Sequence, residues 1–442
     1  MTGAGDDGPP VRVHWVSPLP PASTDIAEYT RRFLPDLASR ASVVLWTDAE
    51  TWDRGLERHA LVRRFDPHAA LPMDMRDLPP ARGAVEAVFL NIGNAWVFHS
   101  RIVALARRVP GCLVLHDLAV VEMLRDSVVN RLLPRAQVLS EVARWLGPPG
   151  RAVLERAIDG TPPSAAAIEH HPMWEATLGR ASAVLTHTSA AYDTACARRV
   201  LPVHRLELPF SIGPRPSAAR AMDGPLRLAQ FGHIGPNRRL EPILEALARV
   251  APERGGRVDF VFEVFGRLWD PDRIRGAAKA LGIAHRVRFR GFAPEPELDA
   301  AIGQAHLVFN LRDPTMGEAS GSQLRIWNAS AMSAVTDLGW YAGLPDDTVA
   351  KIPRGDEIGA LVRLVERLDA DRSLSARVGA AGRERLEARH ATADYAEGIV
   401  RIARAMERDT RDALAAEAMG RLLGRAPSPA LMRPRAARVI EG

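Results

Sequence analysis

The sequence predicts an α/β fold of two successive halves, each built on a parallel sheet with helices on both faces. Three observations predict it. The chain has 442 residues, more than a single core of ordinary size encloses. Short apolar β-like runs alternate with longer helix-like runs in two separate stretches. Between those stretches lies Phe210-Ser211-Ile212-Gly213-Pro214-Arg215-Pro216-Ser217, with the Pro, Gly and Ser content of a linker.

The first half opens on the strand-like run Val11–Val16, and Ile26 to Ala38 reads as a helix. Val43–Trp46, Ala87–Leu90, Cys112–Leu115 and Ala183–Thr186 are further buried strands, each ending near polar residues or glycine. Ligands on parallel sheets collect at the carboxyl ends of strands. His14, Ser17, Asn94, His116 and Asp117 all fall at or after such ends. Between about residues 119 and 174 the alternation gives way to a mostly helical insertion. Its segment Val128–Arg135 mixes apolar and arginine residues. That pattern fits first an ordinary amphipathic helix packed on its own domain, and as an alternative a helix lying on a membrane or a partner.

The second half begins with the strand Leu226–Phe231 and a helix from Leu240 to Val250 with apolar residues at three-to-four spacing. A strand at Val258–Phe265, a helix from Asp272 to Leu281, and strands at Val287–Phe289, Leu307–Phe309 and Ala334–Thr336 follow. Helices are expected at Glu357–Leu368 and Ser373–Ala388, with one more from Thr392 into the 420s. The expected division is a first domain over 1–212, a linker over 213–224, a second domain over 225–395, a last helix over 396–425 and an irregular Pro/Arg/Ala-rich tail over 426–442.

Composition excludes several classes. Lys and Arg exceed Asp and Glu by only 58 to 53, a formal charge of +5. No basic block is interleaved with aromatics, and neither helix-turn-helix nor zinc-finger spacing occurs, so no nucleic-acid partner is expected. The two cysteines, Cys112 and Cys196, argue against a disulfide framework or a cysteine zinc site and fit a reducing cytosol. No apolar run is long enough to span a bilayer, and the first residues lack the basic-then-apolar order of a signal peptide. A cytoplasmic location follows, with peripheral contact at the inner face of the membrane as a further expectation from the 128–135 segment. No metal-ligand set, hydrolase nucleophile elbow or dinucleotide glycine fingerprint is present.

The most informative segment is Arg312-Asp313-Pro314-Thr315-Met316-Gly317-Glu318-Ala319-Ser320-Gly321-Ser322, between the run ending at Leu311 and a helix-like run from Gln323. A strand that ends in a Gly/Ser-rich turn and opens a helix presents backbone N–H groups to an anion. A glutamate there would repel a bare phosphate, but it suits a ligand that also carries sugar hydroxyls. The pattern points to a sugar nucleotide.

At this segment the chain resembles the retaining GT-B glycosyltransferases of family 4, in particular their bacterial surface-polysaccharide branch. Other segments agree in order. Ser17-Pro18-Leu19-Pro20-Pro21 through Ile26-Ala27-Glu28-Tyr29 looks like the first strand-to-helix loop, Gly93-Asn94 with His99 like the Gly-Asn-x-x-x-His segment, and Leu115-His116-Asp117 like Leu-His-Asp. Phe231-Gly232-His233-Ile234-Gly235-Pro236-Asn237-Arg238-Arg239 is similar to the opening of the second domain. Asp337-Leu338-Gly339-Trp340 with Leu344-Pro345 resembles the strand and turn closing the nucleotide pocket. The resemblance covers roughly residues 11 to 405.

The resemblance implies two Rossmann-like domains facing across a cleft, with the last helix crossing back to the first domain. It implies retaining, metal-independent transfer of a hexose-type sugar from a nucleotide diphosphate, which is a substrate; no cofactor is implied. The acceptor would be a glycan, a lipid-linked sugar or a secondary metabolite. With no metal, cationic side chains and helix N-termini must neutralise the departing diphosphate. Arg238 is the first candidate for that role and Arg239 its neighbour. Glu318 would accept from sugar hydroxyls, Ser320, Gly321 and Ser322 would offer N–H groups, and His116 would line the sugar from the first domain. These make His116, Glu318 and Arg238 the catalytic set. Gly232, Phe292 and Arg312 complete the donor side. Asp25, Asn94, His99 and Asp117 form the acceptor side.

One departure stands out. Thr24-Asp25 occupies the place of the family's Ser-Gly, where a glycine lets the donor approach the backbone and a carboxylate adds bulk and charge. It motivates an alternative, a GT-B scaffold or binding protein without catalysis. A sugar-nucleotide epimerase of the same architecture is a third reading.

Overall fold

The computed structural model describes residues 9–76, 78, 83–216 and 220–422. They form two compact units. The first gathers the chain up to Ser211, the short segment Met316–Ala319 and the chain from Thr392; the second holds Ile212–Thr315 and Ser320–Ala391.

In the first unit β1 (Val11–Val16), α1 (Asp25–Ala38), β2 (Ser42–Thr47), β3 (Leu61–Arg64), β4 (Val85–Ile92), α2 (Trp96–Ala106), β5 (Gly111–Leu115), α3 (Val121–Val129), α4 (Arg135–Ile158), α5 (Ala165–His170), β6 (Ala181–Thr186), α6 (Ser189–Ala197) and β7 (Val203–Arg205) follow along the chain. The seven strands make one parallel sheet in the order β3-β2-β1-β4-β5-β6-β7. Trp15 and Phe89 are register partners on β1 and β4 and stack at 5.5 Å, so both point to one face of the pleat. Helix α1 covers that face through Phe33, edge-on to Trp15 at 5.0 Å. On the core side of α2, α3 and α4, Ile102, Val103, Leu124 and Val138 bury against Leu113 and Leu115. Thr24 caps α1 by accepting from the Ile26 N–H, and Asp25 occupies its first turn.

In the second unit β8 (Leu226–Phe231), α7 (Leu240–Val250), β9 (Phe260–Phe265), α8 (Pro271–Ala280), β10 (Val287–Gly291), α9 (Glu295–Gln304), β11 (Leu307–Phe309), α10 (Gly321–Asn328), β12 (Ser333–Thr336), β13 (Ala350–Ile352), α11 (Glu357–Ala370) and α12 (Ser373–Arg389) build a six-stranded parallel sheet in the order β10-β9-β8-β11-β12-β13. Its main core joins Ile243, Leu244 and Leu247 of α7 to Phe262, Phe309, Leu361 and Val365. Close approach of α12 to α10 depends on glycine. A Cβ on Gly382 would stand 2.2 Å from the Trp327 ring, and one on Gly379 would stand 1.9 Å from the Ser330 carbonyl oxygen. The last helix, α13 (Thr392–Leu422), belongs to the first unit, where the Tyr395 hydroxyl hydrogen-bonds the Tyr29 hydroxyl of α1.

The architecture is the expected one: two α/β units on parallel sheets. Several elements differ from expectation. Strands β3, β7 and β13 are absent from the sequence reading. All three are sheet edges of three or four residues carrying Arg63, Arg205 or Lys351, so they lack the apolar run that marks a central strand. Helix α9 also escaped it, since Ile302 is its one fully buried residue and its apolar stripe is weak. The segment Val128–Arg135 is not one helix: Val128 and Val129 end α3, residues 130–134 turn, with Arg131 at φ 59° and Leu133 buried, and Arg135 begins α4. A surface helix there, the basis for the membrane expectation, does not exist. Among the described residues no helix is long and apolar enough to cross a membrane. The stretch after Phe210 is anchored within the second unit: the Gly213 N–H donates to Asn328 Oδ1 at 3.0 Å, and Arg383 donates to the Gly213 carbonyl. The tail from residue 426 lies outside the described residues.

Candidate active site

In each sheet the strand order reverses beside the first strand, between β1 and β4 and between β8 and β11. Such a switch point opens a crevice at the carboxyl ends of the two strands. Several candidate residues follow strands at or next to these points, and each unit is described by itself.

In the second unit β8 runs into Gly232, whose φ of 107° favours glycine, and then into a short 3-10 turn, Pro236–Arg238. Gly266, after β9, packs its backbone against the Gly232 carbonyl so closely that a Cβ would come within 2.0 Å of that oxygen. Arg238 folds back over this turn: its Nη2 lies 3.3 Å from where a Gly232 Cβ would stand. The guanidinium is nearly buried, and Nη1 donates to Asn310 Oδ1 at 3.1 Å. Gln230 holds the other end of the turn, donating to the Arg238 carbonyl at 2.7 Å. Asn310 follows β11, and its amide donates to Gln323 Oε1 at 3.0 Å; Gln323 Nε2 in turn donates to Ser333 Oγ at 2.8 Å. A buried polar chain from Arg238 to Ser333 therefore fixes the cation.

Ser320 caps α10, its hydroxyl accepting from the Gln323 N–H at 3.1 Å. Gly321 and Ser322, in the first turn, have N–H groups with no acceptor along their own helix. A fixed guanidinium and a helix N-terminus at the same switch point are the kinds of group that bind anions. Arg239 has a different employment. It sits at φ 57° and grips Glu357 with two guanidinium nitrogens at 2.6–3.1 Å, which raises its already high pKa, the hydrogen bond to Glu357 contributing most. Arg312 donates its backbone N–H to Thr336 Oγ1 at 3.0 Å, and Phe292, beyond β10, is 92% exposed.

In the first unit His116 follows β5, and its ring meets Tyr29 edge-on at 4.9 Å and His187 at 5.0 Å. Burial, then the neighbouring His187 and His99, hold its pKa well below the usual imidazole value, so it is neutral. Its Nε2 is 2.9 Å from Asn91 Oδ1. The loop that follows is fastened to the Glu318 segment: the Leu118 and Ala119 N–H groups both donate to the Met316 carbonyl, at 2.8 and 2.9 Å. Gly317 lies against Leu118 at φ 83°. Glu318 is nearly buried, and its Oε2 accepts from the Met316 N–H at 2.7 Å. His116 and Glu318 thus belong to one loop cluster.

The acceptor-side residues divide. The Asp117 carboxylate accepts from the Asn94 N–H at 2.8 Å, while the Asn94 side chain donates to Glu122 at 3.0 Å and accepts from the Met123 N–H at 3.1 Å. These groups hold the entry to α3. His99 is fully buried on α2, donates through Nδ1 to the Asn91 carbonyl at 3.1 Å, and is kept neutral by burial, with a pKa of about 4. Asp25 is exposed. Asn91, Asn310, Gln230 and Gln323 escaped the sequence reading. Asn91, Gln230 and Asn310 are each one amide among apolar neighbours, and Gln323 lies inside α10, patterns without a motif, although a buried amide at a strand's carboxyl end is itself a signal. Among the described residues no group of three or more His, Cys, Asp or Glu could hold a metal ion.

No protein-family model matches the chain, and no curated protein does. Solved structures do. Sucrose-phosphate synthase from Thermosynechococcus elongatus superposes with a TM-score of 0.59 at 15% identity, covering 90% of this chain and 99% of that one. HepE from Anabaena, solved in complex with UDP, gives 0.55 at 13% identity over 89% and 99%. WaaG, a glycosyltransferase involved in lipopolysaccharide biosynthesis, gives 0.52 at 15% over 89% and 99%. The fold is that of GT-B glycosyltransferases. At such identities the likeness extends to the fold, two Rossmann-like parallel-sheet units.

Proposed function

We propose that the protein is a retaining, metal-independent glycosyltransferase that moves a hexose-type sugar from a nucleotide diphosphate to a glycan, lipid-linked or secondary-metabolite acceptor. The observation that carries this reading is the anion site at the β8/β11 switch point, where Arg238, locked by Asn310, accompanies the N-terminus of α10. A diphosphate leaving group is the anion such a site suits. Arg238 neutralises the charge that develops as the bond to the anomeric carbon breaks, and the Gly321 and Ser322 N–H groups share it. Arg312 and Phe292 are assigned to the donor's edge. Arg239, gripped by Glu357, acts on the donor by bracing Arg238's turn. Glu318 and neutral His116 hold sugar hydroxyls, orienting the ring so that the acceptor hydroxyl attacks from the face the diphosphate leaves. Asp25, Asn94, His99 and Asp117 shape the acceptor side. UDP-glucose is the first donor to try, because HepE was crystallised with it.

The test is nucleotide release from UDP-, ADP-, GDP- and dTDP-sugars in the presence of EDTA, with wild type, Arg238→Ala and Glu318→Ala. Turnover by wild type and loss in both variants is expected. Normal rates in both variants would remove the site assignment. Epimerisation of the donor without any acceptor would establish the epimerase instead.

A further inference from the structure

Asn91 lies on β4, fully buried, and its side-chain amide makes two hydrogen bonds that set its orientation. Nδ2 donates to the Val16 carbonyl at 2.9 Å. A carbonyl oxygen can only accept, so the NH2 group must face Val16 and Oδ1 must face His116. His116 Nε2 lies 2.9 Å from that Oδ1 and therefore carries the proton. The neutral ring then has its lone pair on Nδ1. This nitrogen makes no hydrogen bond with the described residues and is not among the ring nitrogens sealed from solvent, as His99 Nε2 and His187 Nε2 are.

The neighbouring histidines are held the opposite way. His99 Nδ1 faces the Asn91 carbonyl at 3.1 Å and His187 Nδ1 faces the Leu206 carbonyl at 3.1 Å, so each carries its proton on Nδ1. Three histidines of one cluster thus present two tautomers, and His116 alone among them turns an unprotonated nitrogen to where solvent or a ligand reaches.

We propose that Asn91 is a positioning residue that fixes His116 as the Nε2–H tautomer and so presents Nδ1 as a hydrogen-bond acceptor for a sugar hydroxyl. The part played by the sugar rests on the function proposed above; the tautomer does not. The groups facing the ring are Tyr29 from α1, His187 after β6 and Asn91 from β4, with His99 behind Asn91 and Tyr395 of α13 against Tyr29. None of these is a carboxylate or a cation, and burial with the neighbouring histidines keeps the ring neutral, so Nδ1 is left as an acceptor.

The test is long-range 1H–15N correlation on the full chain with 15N-labelled histidine near pH 7.5, His116 being assigned by the signal lost in His116→Gln. Wild type should give the Nε2–H pattern for His116 and the Nδ1–H pattern for His99 and His187. Asn91→Leu removes the acceptor from Nε2, and His116 should move to the Nδ1–H form. Its kcat with the active donor sugar should then fall about tenfold with KM within about threefold, the loss of one acceptor contact. An Nδ1–H pattern for His116 in wild type overturns the proposal, whether or not the variant folds. An unchanged pattern in a folded Asn91→Leu overturns it as well. Wild type with the stated tautomers but no transfer from any donor would support the tautomer and sink the proposed function.

Discussion

Arg238 and Asn310 make the most direct claim at the scale of single residues. Removing a charge-assisted contact to a phosphate costs about 1.5–3 kcal/mol, or about 10- to 150-fold in affinity. Arg238→Ala should therefore weaken nucleoside-diphosphate binding by that factor in calorimetry. Asn310→Ala keeps the cation but frees it, and a loss of about tenfold is expected. Equal affinity in wild type and Arg238→Ala would move the anion site elsewhere. Asp25 sits exposed in the first turn of α1, where a carboxylate complements the helix dipole. Asp25→Gly should lower stability by about 0.5–1 kcal/mol in urea titration and change nucleotide affinity by less than about threefold. Binding by the glycine variant alone would favour the scaffold reading. Motifs made Gly232, Arg238, His116 and Glu318 legible before the structure, because their spacing around strand ends is distinctive. Asn91 and Asn310 were not, because their meaning is a hydrogen-bond partner 25 or 72 residues away in sequence.

Elements set two further expectations. The first unit buries His14, His99 and His187 in neutral form, each with its pKa lowered to about 4, chiefly by burial. An unfolded chain protonates histidine near pH 6.5, so between pH 6.5 and 4 the unfolded state binds more protons and the folded state loses ground. Stability contributed by these groups is present above pH 6.5 and is lost as pH falls toward 4, by several kcal/mol in all. Urea unfolding at pH 7.5 and pH 5 should show it, and His99→Gln, if it folds, should reduce the difference. In the second unit Gly382→Ala would drive a methyl into Trp327 and push α12 from α10. A loss of about 1–3 kcal/mol is expected in denaturant titration, while Gly276→Ala, with open space at its Cβ, should cost nothing or stabilise slightly. Central strands and the strongly amphipathic α7 were legible from periodicity. Edge strands β3, β7 and β13 and helix α9 were not, because an edge carries charge and a lightly buried helix carries little apolar stripe.

For the whole molecule, two rounds of strand–helix alternation separated by Pro- and Gly-rich residues already specified two parallel-sheet units. The strand orders could not be read, since sequence periodicity says which face is buried and not which strand lies next. The order of the second sheet places β8 beside β11, and so brings Arg238 to Asn310. The proposed activity of the whole chain is sugar transfer from a nucleotide diphosphate. The most direct measurement is nucleotide release and sugar transfer from a panel of UDP-, ADP-, GDP- and dTDP-sugars with EDTA present. Turnover with at least one donor, undiminished by the chelator, is expected, with a rate at least about a hundredfold lower in Arg238→Ala and in Glu318→Ala. A chain that neither binds nor turns over any of these donors, or variants that match wild type, would contradict it.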